Sequence, residues 1–181
     1  AEISATIKDF KDAGVVIPAT CIHWPMWPVL KTDTSWRLTV AYHKINQAMT
    51  PVELLIDVAE LFKQSNTSPG SWHAVIDLAN SSFFLPVCQA QEEQFAFSCQ
   101  GQQHTFTVLP QAYQLSSPTA HLFAGILIAF PFYINALVHY NDDTMLIGSN
   151  EQEVANIVDL LMRHLCTRGW ETNLTKIQGT S

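Results

Sequence analysis

Charged residues are scarce in this chain, and basic residues are scarcer than acidic ones. Of its 181 residues only 14% are charged, whereas 48% are hydrophobic. A chain this apolar can bury a substantial core, which excludes an intrinsically disordered protein. Lysine and arginine number 9 against 16 acidic residues, which leaves a net charge of −7. This balance is atypical of nucleic-acid-binding proteins, which usually present a basic surface to the phosphates.

Several kinds of site and segment are also missing. The cysteines lack the paired spacing of a zinc site, and we interpret them as thiols of a reducing compartment: Cys21, Cys88, Cys99 and Cys166. The longest apolar run, residues 122–138, is interrupted by Pro131 and Asn135. It is shorter than the roughly 20 residues of a membrane-spanning helix, so we predict a buried helix followed by a buried strand. The charged, amphipathic residues 1–12 predict no signal peptide.

The pattern that remains mixes helices and strands, which predicts an α+β fold. Helices are predicted over residues 3–13, behind Thr50-Pro51, from Ser117-Pro118 onwards and from Asn150 to Gly169. Strands are predicted at residues 15–17, 37–42, 72–78, 83–87, 94–99 and 104–108. Residues 137–148 predict a hairpin whose tip is Asn141-Asp142, because both residue types tolerate the backbone of a tight turn.

Acidic residues stand in two places where the surrounding pattern is apolar. Asp77 ends the strand that contains Ala74 to Ile76, and Asp142 and Asp143 lie in the hairpin. Carboxylates brought together repel one another, and Mg²⁺ or Mn²⁺ relieves that repulsion. Such a cluster would serve phosphoryl transfer by two metal ions about 4 Å apart. The spacing leaves an alternative equally open, in which Asp142 and Asp143 are ordinary turn residues and Asp77 is a strand-end cap.

The strings around these carboxylates resemble motifs of retroviral reverse transcriptases. Residues 138–143, VHYNDD, are similar to the Tyr-x-Asp-Asp motif, and residues 75–80, VIDLAN, are similar to the first aspartate motif. Residues 106–111, FTVLPQ, with the later SPT resemble the Leu-Pro-Gln-Gly…Ser-Pro motif. Further matches lie in the order of the family at residues 27–31, 36–40, 169–170 and 176–179. The sequences of these motifs are most similar to those of endogenous retroviruses of the spumavirus-like, leucine-primed class.

The resemblance implies an RNA-directed DNA polymerase fragment of a Pol polyprotein. Its fold would be an antiparallel palm sheet backed by helices, with the fingers mainly in residues 1–70, the palm mainly in residues 71–181, and no thumb or RNase H domain. Its partners would be an RNA or DNA template with a primer, deoxynucleoside triphosphates, and the remaining Pol domains or a second subunit, with no membrane. Its cofactors would be two Mg²⁺ or Mn²⁺ ions. Its location would be cytoplasmic, or a virus-like particle if the parent element is active.

The resemblance also implies roles for individual residues. The catalytic carboxylates, which would also hold the metal ions, are Asp77, Asp142 and Asp143. Lys31 and Arg37 would contact the triphosphate, because charge-assisted donors suit phosphate oxygens. The other residues at the nucleotide and primer would be Gln111, which positions nucleotide and template, and Tyr140, near the primer end. The alternatives are that Lys31 and Arg37 are solvated charges and that Tyr140 belongs to the core.

The chain departs from the family at several supporting positions. Aligned without a gap, Ser82 stands where the family has an aromatic residue that excludes the ribose 2′-hydroxyl. Ala112 replaces the glycine of the Leu-Pro-Gln-Gly motif, and Ala41 and His43 replace an acidic residue and an arginine of the fingers. These changes imply impaired synthesis. The alternative is a catalytically dead domesticated or pseudogene remnant that acts at most as a binding module.

Overall fold

The computed structural model describes residues 2–20, 24–30, 36–50, 70–129 and 137–179, and its mixture of helices and antiparallel strands confirms the predicted α+β class. The chain divides into two compact units, each built from two separate segments. The first unit comprises Ala1–Pro51 and Ser82–Ser117, and the second comprises Val52–Ser81 and Pro118–Ser181. Their assignment as fingers and palm remains a prediction. The helix predicted behind Thr50-Pro51 lies outside the described residues, as does Lys31.

The first unit begins with the predicted amphipathic helix. Helix α1 spans Glu2–Asp12 and buries Ile7, and it ends where predicted because Gly14 adopts a φ of 71°. There the N–H of Val15 donates to the carbonyl of Phe10 at 2.8 Å, which satisfies a carbonyl at the helix end. Strand β1 (Val16–Pro18) follows. It joins β5 (Phe97–Cys99) and β6 (Gln102–Phe106) in an antiparallel sheet of order β1-β6-β5.

A second pair of strands in the first unit leads to its aromatic core. Strands β2 (Met26–Leu30) and β3 (Trp36–Val40) are antiparallel, and the short helix α2 (His43–Ala48) follows them. Between β3 and α2, Tyr42 is only 1% exposed, and its hydroxyl donates to the Phe95 carbonyl at 2.9 Å. Burial raises the pKa of Tyr42. Tyr42 therefore anchors the core that surrounds it.

The strand predicted at residues 83–87 is wrong. Residues Ser81–Phe84 form a 3₁₀ turn, and only an isolated bridge between Pro86 and Val108 is found beyond it. Pro86 has no N–H for a strand ladder, and Phe83 packs its ring edge-on against Phe10 with centroids 5.4 Å apart. The strand predicted at residues 94–99 is likewise only β5, preceded by a 3₁₀ segment over Gln89–Phe95. In both places the aromatic side chains pack against the core from a 3₁₀ segment. A composition rich in β-forming residues therefore predicts longer strands than the structure has.

The second unit is built on a four-stranded antiparallel sheet. Its strands are β4 (Trp72–Leu78), β7 (Leu137–Tyr140), β8 (Asp143–Gly148) and β9 (Thr172–Gly179), in the spatial order β7-β8-β4-β9. Strand β4 pairs with β8 on one side and with β9 on the other, with an irregularity between Val75 and Ile76 on the β9 side. Ala74, Ile76 and Leu78 are buried and alternate with less buried residues, as expected for a sheet with one covered face.

Two helices pack in the second unit. Helix α3 spans Ser116–Ala129 and α4 spans Glu151–Cys166. The predicted cap of α4 is confirmed, because the Asn150 side chain accepts the N–H of Glu153 at 2.9 Å. Helix α4 packs against β4, β8 and β9 through its buried face, which consists of Val154, Val158, Leu161 and Leu165.

The 122–138 run was predicted to form a buried helix followed by a buried strand. The helix does precede the strand, but only part of the helix is buried. Ala120, Ala124 and Ile128 of α3 are buried, whereas Leu122 and Ile126 are each 60% exposed. The helix is apolar on all sides, so hydrophobicity could not distinguish its covered face. Within the described ranges, no helix has both the length and the apolarity that crossing a bilayer requires.

Candidate functional site

Two of the predicted carboxylates and the predicted primer-end tyrosine lie in one row across the second unit's sheet. Asp77 on β4 is the Cα partner of Asp143 on β8, and Asp143 is the partner of Tyr140 on β7. Directly opposed residues present their side chains on the same face of a sheet. Tyr140 is 40% exposed, so it is not a core residue. The face that carries this row is opposite to the one that buries Ile76 and Leu78.

The third carboxylate lies in the turn that joins β7 to β8, as the sequence predicts. Asn141 has a φ of 52°, the left-handed conformation expected at the tip. The carbonyl of Asp142 accepts the N–H of Leu78 at 2.8 Å, which ties the turn to the end of β4. The fold therefore brings Asp77, Asp142 and Asp143 to the same end of the same sheet.

Ser81 is a site residue that the sequence motifs do not indicate. Its hydroxyl donates to Oδ1 of Asp142 at 2.5 Å, across 61 positions of the chain. Ser81 itself is only 4% exposed, whereas Asp142 is exposed. The buried serine therefore orients the carboxylate and occupies one of its oxygens. Asn80, which precedes it with a φ of 53°, is the one local sign of an unusual turn here.

The electrostatics of the site fit a cation. Partial burial, and then the negative charges of Asp77 and Asp142, raise the pKa of Asp143 above its ordinary value. Oxygen donors of this kind are those that Mg²⁺ and Mn²⁺ prefer. The three carboxylates lie at the same end of the sheet, but their side chains do not converge on one point. Among the described residues, no group of three or more His, Cys, Asp or Glu side chains is arranged to hold a metal ion. The donor chemistry therefore fits a divalent ion, whereas the present rotamers do not enclose one.

A pair of histidines lies behind the turn. The rings of His121 on α3 and His139 on β7 are stacked, with centroids 4.7 Å apart and an interplanar angle of 2°. Burial and the nearby His121 lower the pKa of His139 to about 4, and burial also lowers the pKa of His121. The absence of metal-like spacing predicts structural or exposed histidines, and His139 is a structural one. No pattern in the sequence indicates that these two rings meet.

The predicted nucleotide-binding residues belong to the first unit, and the carboxylates belong to the second. Arg37 is on β3 opposite Val29, but its side chain is not described, and Lys31 lies outside the described residues. Ser82 is only 7% exposed. Phe83, which follows it, contacts Phe10 and Phe106 in the core of the first unit. The proposed role of Ser82 at the sugar of the nucleotide stays a prediction.

Gln111 lies half-buried in a turn that a residue from α2 supports. The Asn46 side chain donates to the carbonyl of Ala112 at 3.1 Å and accepts the N–H of Gln114 at 2.9 Å. Ala112 is not among the described non-glycine residues with positive φ, so the alanine is accommodated without strain in this turn. Asn46 thus fixes the residues on the C-terminal side of Gln111, a role that no sequence motif indicates.

Comparison with known proteins places these features in a family context. The Pro-Pol polyprotein of feline foamy virus is 28% identical over 176 residues, which are 97% of this chain and 15% of the polyprotein. A solved foamy viral protease-reverse transcriptase in complex with double-stranded DNA matches 99% of this chain and 31% of its own, with a TM-score of 0.81 and 25% identity. A foamy viral protease-reverse transcriptase in complex with an RNA/DNA hybrid matches 98% of this chain and 24% of its own, with a TM-score of 0.78 and 25% identity.

The chain spans only a small part of these relatives, and its sequence matches no protein-family model. The similarity nevertheless extends over almost all of the chain, in sequence and in three dimensions. This similarity confirms the resemblance to retroviral reverse transcriptases that the sequence motifs indicated. The chain is therefore related in sequence to the Pol polyproteins of retroviruses, and it has the α+β fold of a retroviral-type reverse transcriptase.

Proposed function

We propose that this chain is the fingers-and-palm part of an RNA-directed DNA polymerase, with impaired activity. The observation that carries the proposal is the row formed by Tyr140, Asp143 and Asp77 on one face of the sheet, with Asp142 in the adjoining turn. The residues of this row come from three strands and from two motifs of the family. A set of ordinary turn residues and strand caps would not require Asp77 and Asp143 to be directly opposed.

Asp77, Asp142 and Asp143 are the proposed holders of two Mg²⁺ or Mn²⁺ ions. When bound, such ions activate the attacking 3′-hydroxyl of the primer and stabilise the leaving pyrophosphate. The raised pKa of Asp143 supports this assignment, because a cation stabilises a carboxylate that is partly buried and repelled by its neighbours. Tyr140, exposed and next to Asp143, is proposed to contact the primer end.

Residues of the first unit have proposed roles at the incoming nucleotide. Lys31 and Arg37 would bind the triphosphate of the incoming nucleotide, and Gln111 would position the nucleotide against the template. Ser82 would lie at the sugar, where the lack of an aromatic ring weakens exclusion of ribonucleotides. The Asn46 contacts support the role of Gln111, because they hold its turn to α2.

The proposed partners are a primed RNA or DNA template and deoxynucleoside triphosphates, within a longer polyprotein or with a second subunit. The support for nucleic acid comes from the related foamy viral enzyme, which has been solved with double-stranded DNA and with an RNA/DNA hybrid. The net charge of −7 predicts weak electrostatic attraction to the phosphates of the nucleic acid. The proposed location is intracellular, with virus-like particles as the site of action if the parent element is active.

A specific contact favours the alternative of a catalytically dead remnant or binding module. The Ser81 hydroxyl donates to Asp142 at 2.5 Å, and this bond restricts the rotation of the carboxylate towards a cation. Small misplacements of reacting groups cost rate heavily, about 10²-fold for 1 Å. The same contact explains why we propose impaired rather than full activity.

Primer extension on an RNA template, with Mg²⁺ or Mn²⁺, separates the two functions. Purified wild-type chain is compared with Asp142→Asn, which keeps the shape of the side chain and removes its charge. Extension by the wild type that is lost in the variant is the result we expect. Absence of extension in both, from protein whose unfolding is cooperative, would overturn the polymerase proposal and favour the dead remnant. Equal extension in both would refute the assignment of Asp142.

A further inference from the structure

The backbone of the turn that carries Asp142 is held by a side chain from α3. The N–H of Asn141 donates to Nδ1 of His121 at 3.0 Å. The N–H of this residue therefore has an acceptor that lies outside the hairpin. Asn141 is partly buried, and a buried N–H without a partner is costly. His121 supplies that acceptor.

His121 is itself held in place by the strands beneath it. Its ring is parallel to that of His139 at 4.7 Å, and Nδ1 of His139 lies 3.0 Å from the hydroxyl of Thr144 on β8. Thr144 is fully buried. Gly125 lies one turn further along α3 and faces the His139 ring. A Cβ at this position would lie 3.6 Å from Cδ2 of His139, an ordinary van der Waals contact. Helix α3 therefore contacts β7 through the stacked rings, and His139 in turn contacts β8.

We propose that His121 is a positioning residue for the catalytic turn, acting through its acceptor contact with the Asn141 backbone. The inference rests on the proposed polymerase function of Asp142 and Asp143. The turn is fixed at two points on either side of the Asn141–Asp142 peptide. His121 holds the Asn141 N–H, and the Leu78 N–H holds the Asp142 carbonyl. Together they set the backbone from which the carboxylates project.

The contact defines the chemical form that His121 must take. Nδ1 can accept from Asn141 only if it carries no proton, so the ring is the neutral tautomer with its proton on Nε2. A side chain with a carbonyl oxygen at the same distance from the backbone would serve the same purpose. Asparagine meets that condition, because its Oδ1 occupies nearly the position of the histidine Nδ1. Phenylalanine keeps the ring for stacking and removes the acceptor.

The test compares His121→Phe with His121→Asn in the full chain, with Leu122→Phe as control. Leu122 is the next residue of α3 and is 60% exposed, so its variant adds the same ring without touching the turn. Two readouts are taken: hydrogen exchange of the Asn141 amide by NMR, and kcat and KM for the nucleotide in primer extension. Thermal unfolding verifies that each variant is folded.

We expect Asn141 exchange to accelerate about tenfold in His121→Phe, the size of one lost hydrogen bond, and to be largely restored in His121→Asn. We also expect kcat to fall about tenfold or more in His121→Phe with little change in KM, and to be partly rescued by asparagine. Unchanged Asn141 exchange in His121→Phe, or equal losses of kcat in both variants, would overturn the inference. If the wild type shows no extension, the polymerase proposal fails, and exchange at Asn141 alone decides the role of His121.

Discussion

Asp77 and Asp143 are directly opposed across β4 and β8, and no basic partner from the described residues is paired with either of them. Like charges at opposed positions of a sheet destabilise the pairing. Partial burial, and then the negative charges of Asp77 and Asp142, raise the pKa of Asp143. Without a cation, the opposed carboxylates lower the stability of the folded chain at this site.

Asp143→Asn should stabilise the chain in the absence of divalent ions while abolishing any primer extension. Because the folded state binds the Asp143 proton more readily than the unfolded state, its charge costs stability at neutral pH, and the cost declines as the pH falls through the raised pKa. Asp143 is exposed, so water screens the effect and the gain should be less than about 1 kcal/mol. Urea unfolding at pH 7 measures it, with the exposed Asp9→Asn as control. A less stable Asp143→Asn would contradict the prediction.

Ser81→Ala should free the Asp142 carboxylate and lower the concentration of Mn²⁺ that gives half-maximal extension. The same change should reduce the free energy of unfolding by about 1 kcal/mol, because a hydrogen bond to a charged group is lost. Ser149→Ala is the matched control, since its hydroxyl also donates to a carboxylate at 2.5 Å, that of Glu153 at the start of α4. An identical Mn²⁺ dependence in wild type and Ser81→Ala would show that the serine does not compete with the cation.

Stability should decrease as the pH falls from about 6.5 towards 4, in part through His139. Its folded pKa of about 4 is lower than the unfolded value of 6.5, so protons bind the unfolded state first and favour it. The shift corresponds to at most about 3 kcal/mol, and the measured effect should be smaller because the ring is only partly buried. Denaturant unfolding at several pH values should show a shallower dependence in His139→Gln but the wild-type slope in the exposed His43→Gln. A wild-type slope in His139→Gln would contradict the prediction. Burial also lowers the pKa of His104 and His121, so some slope remains.

Gly148→Ala and Gly125→Ala should change stability in opposite directions. A Cβ at Gly148 would lie 2.9 Å from Cγ2 of Val154, a fully buried residue of α4, so the variant should lose about 1–3 kcal/mol. A Cβ at Gly125 meets the His139 ring at an ordinary 3.6 Å and lies within α3, where alanine is favoured by up to about 1 kcal/mol. Paired urea unfolding curves measure both changes. A loss of stability in Gly125→Ala would mean that α3 approaches β7 more closely than these distances indicate.

Local signals predicted the parts of the site that lie close together in the sequence. The Asn141 turn, the Asn150 cap and the end of α1 at Gly14 all depend on residues within a few positions, and all three are found. The strand at residues 83–87 was predicted wrongly because ring burial at Phe83 outweighed β propensity.

The supporting contacts could not be predicted because they join distant residues whose own neighbourhoods carry no signal. Ser81 reaches Asp142 across 61 positions, and Asn46 reaches Gln114 across 68. His121 and Asn141 are 20 positions apart, and they meet only because α3 lies against β7. Motif strings identify which residues take part in a site, whereas the side chains that orient them depend on the tertiary packing.

The interleaving of the two units has a consequence for the order in which the chain folds. Strand β4 pairs with β8 and β9, which follow it only after the whole second segment of the first unit, Ser82–Ser117, has been made. Most of the contacts that assemble the carboxylates are therefore non-local, and closing such loops slows folding. During synthesis, β4 would wait with both edges unpaired until residues 143–179 have emerged. We therefore expect the nascent chain to depend on chaperones over that interval, because unpaired strand edges promote aggregation.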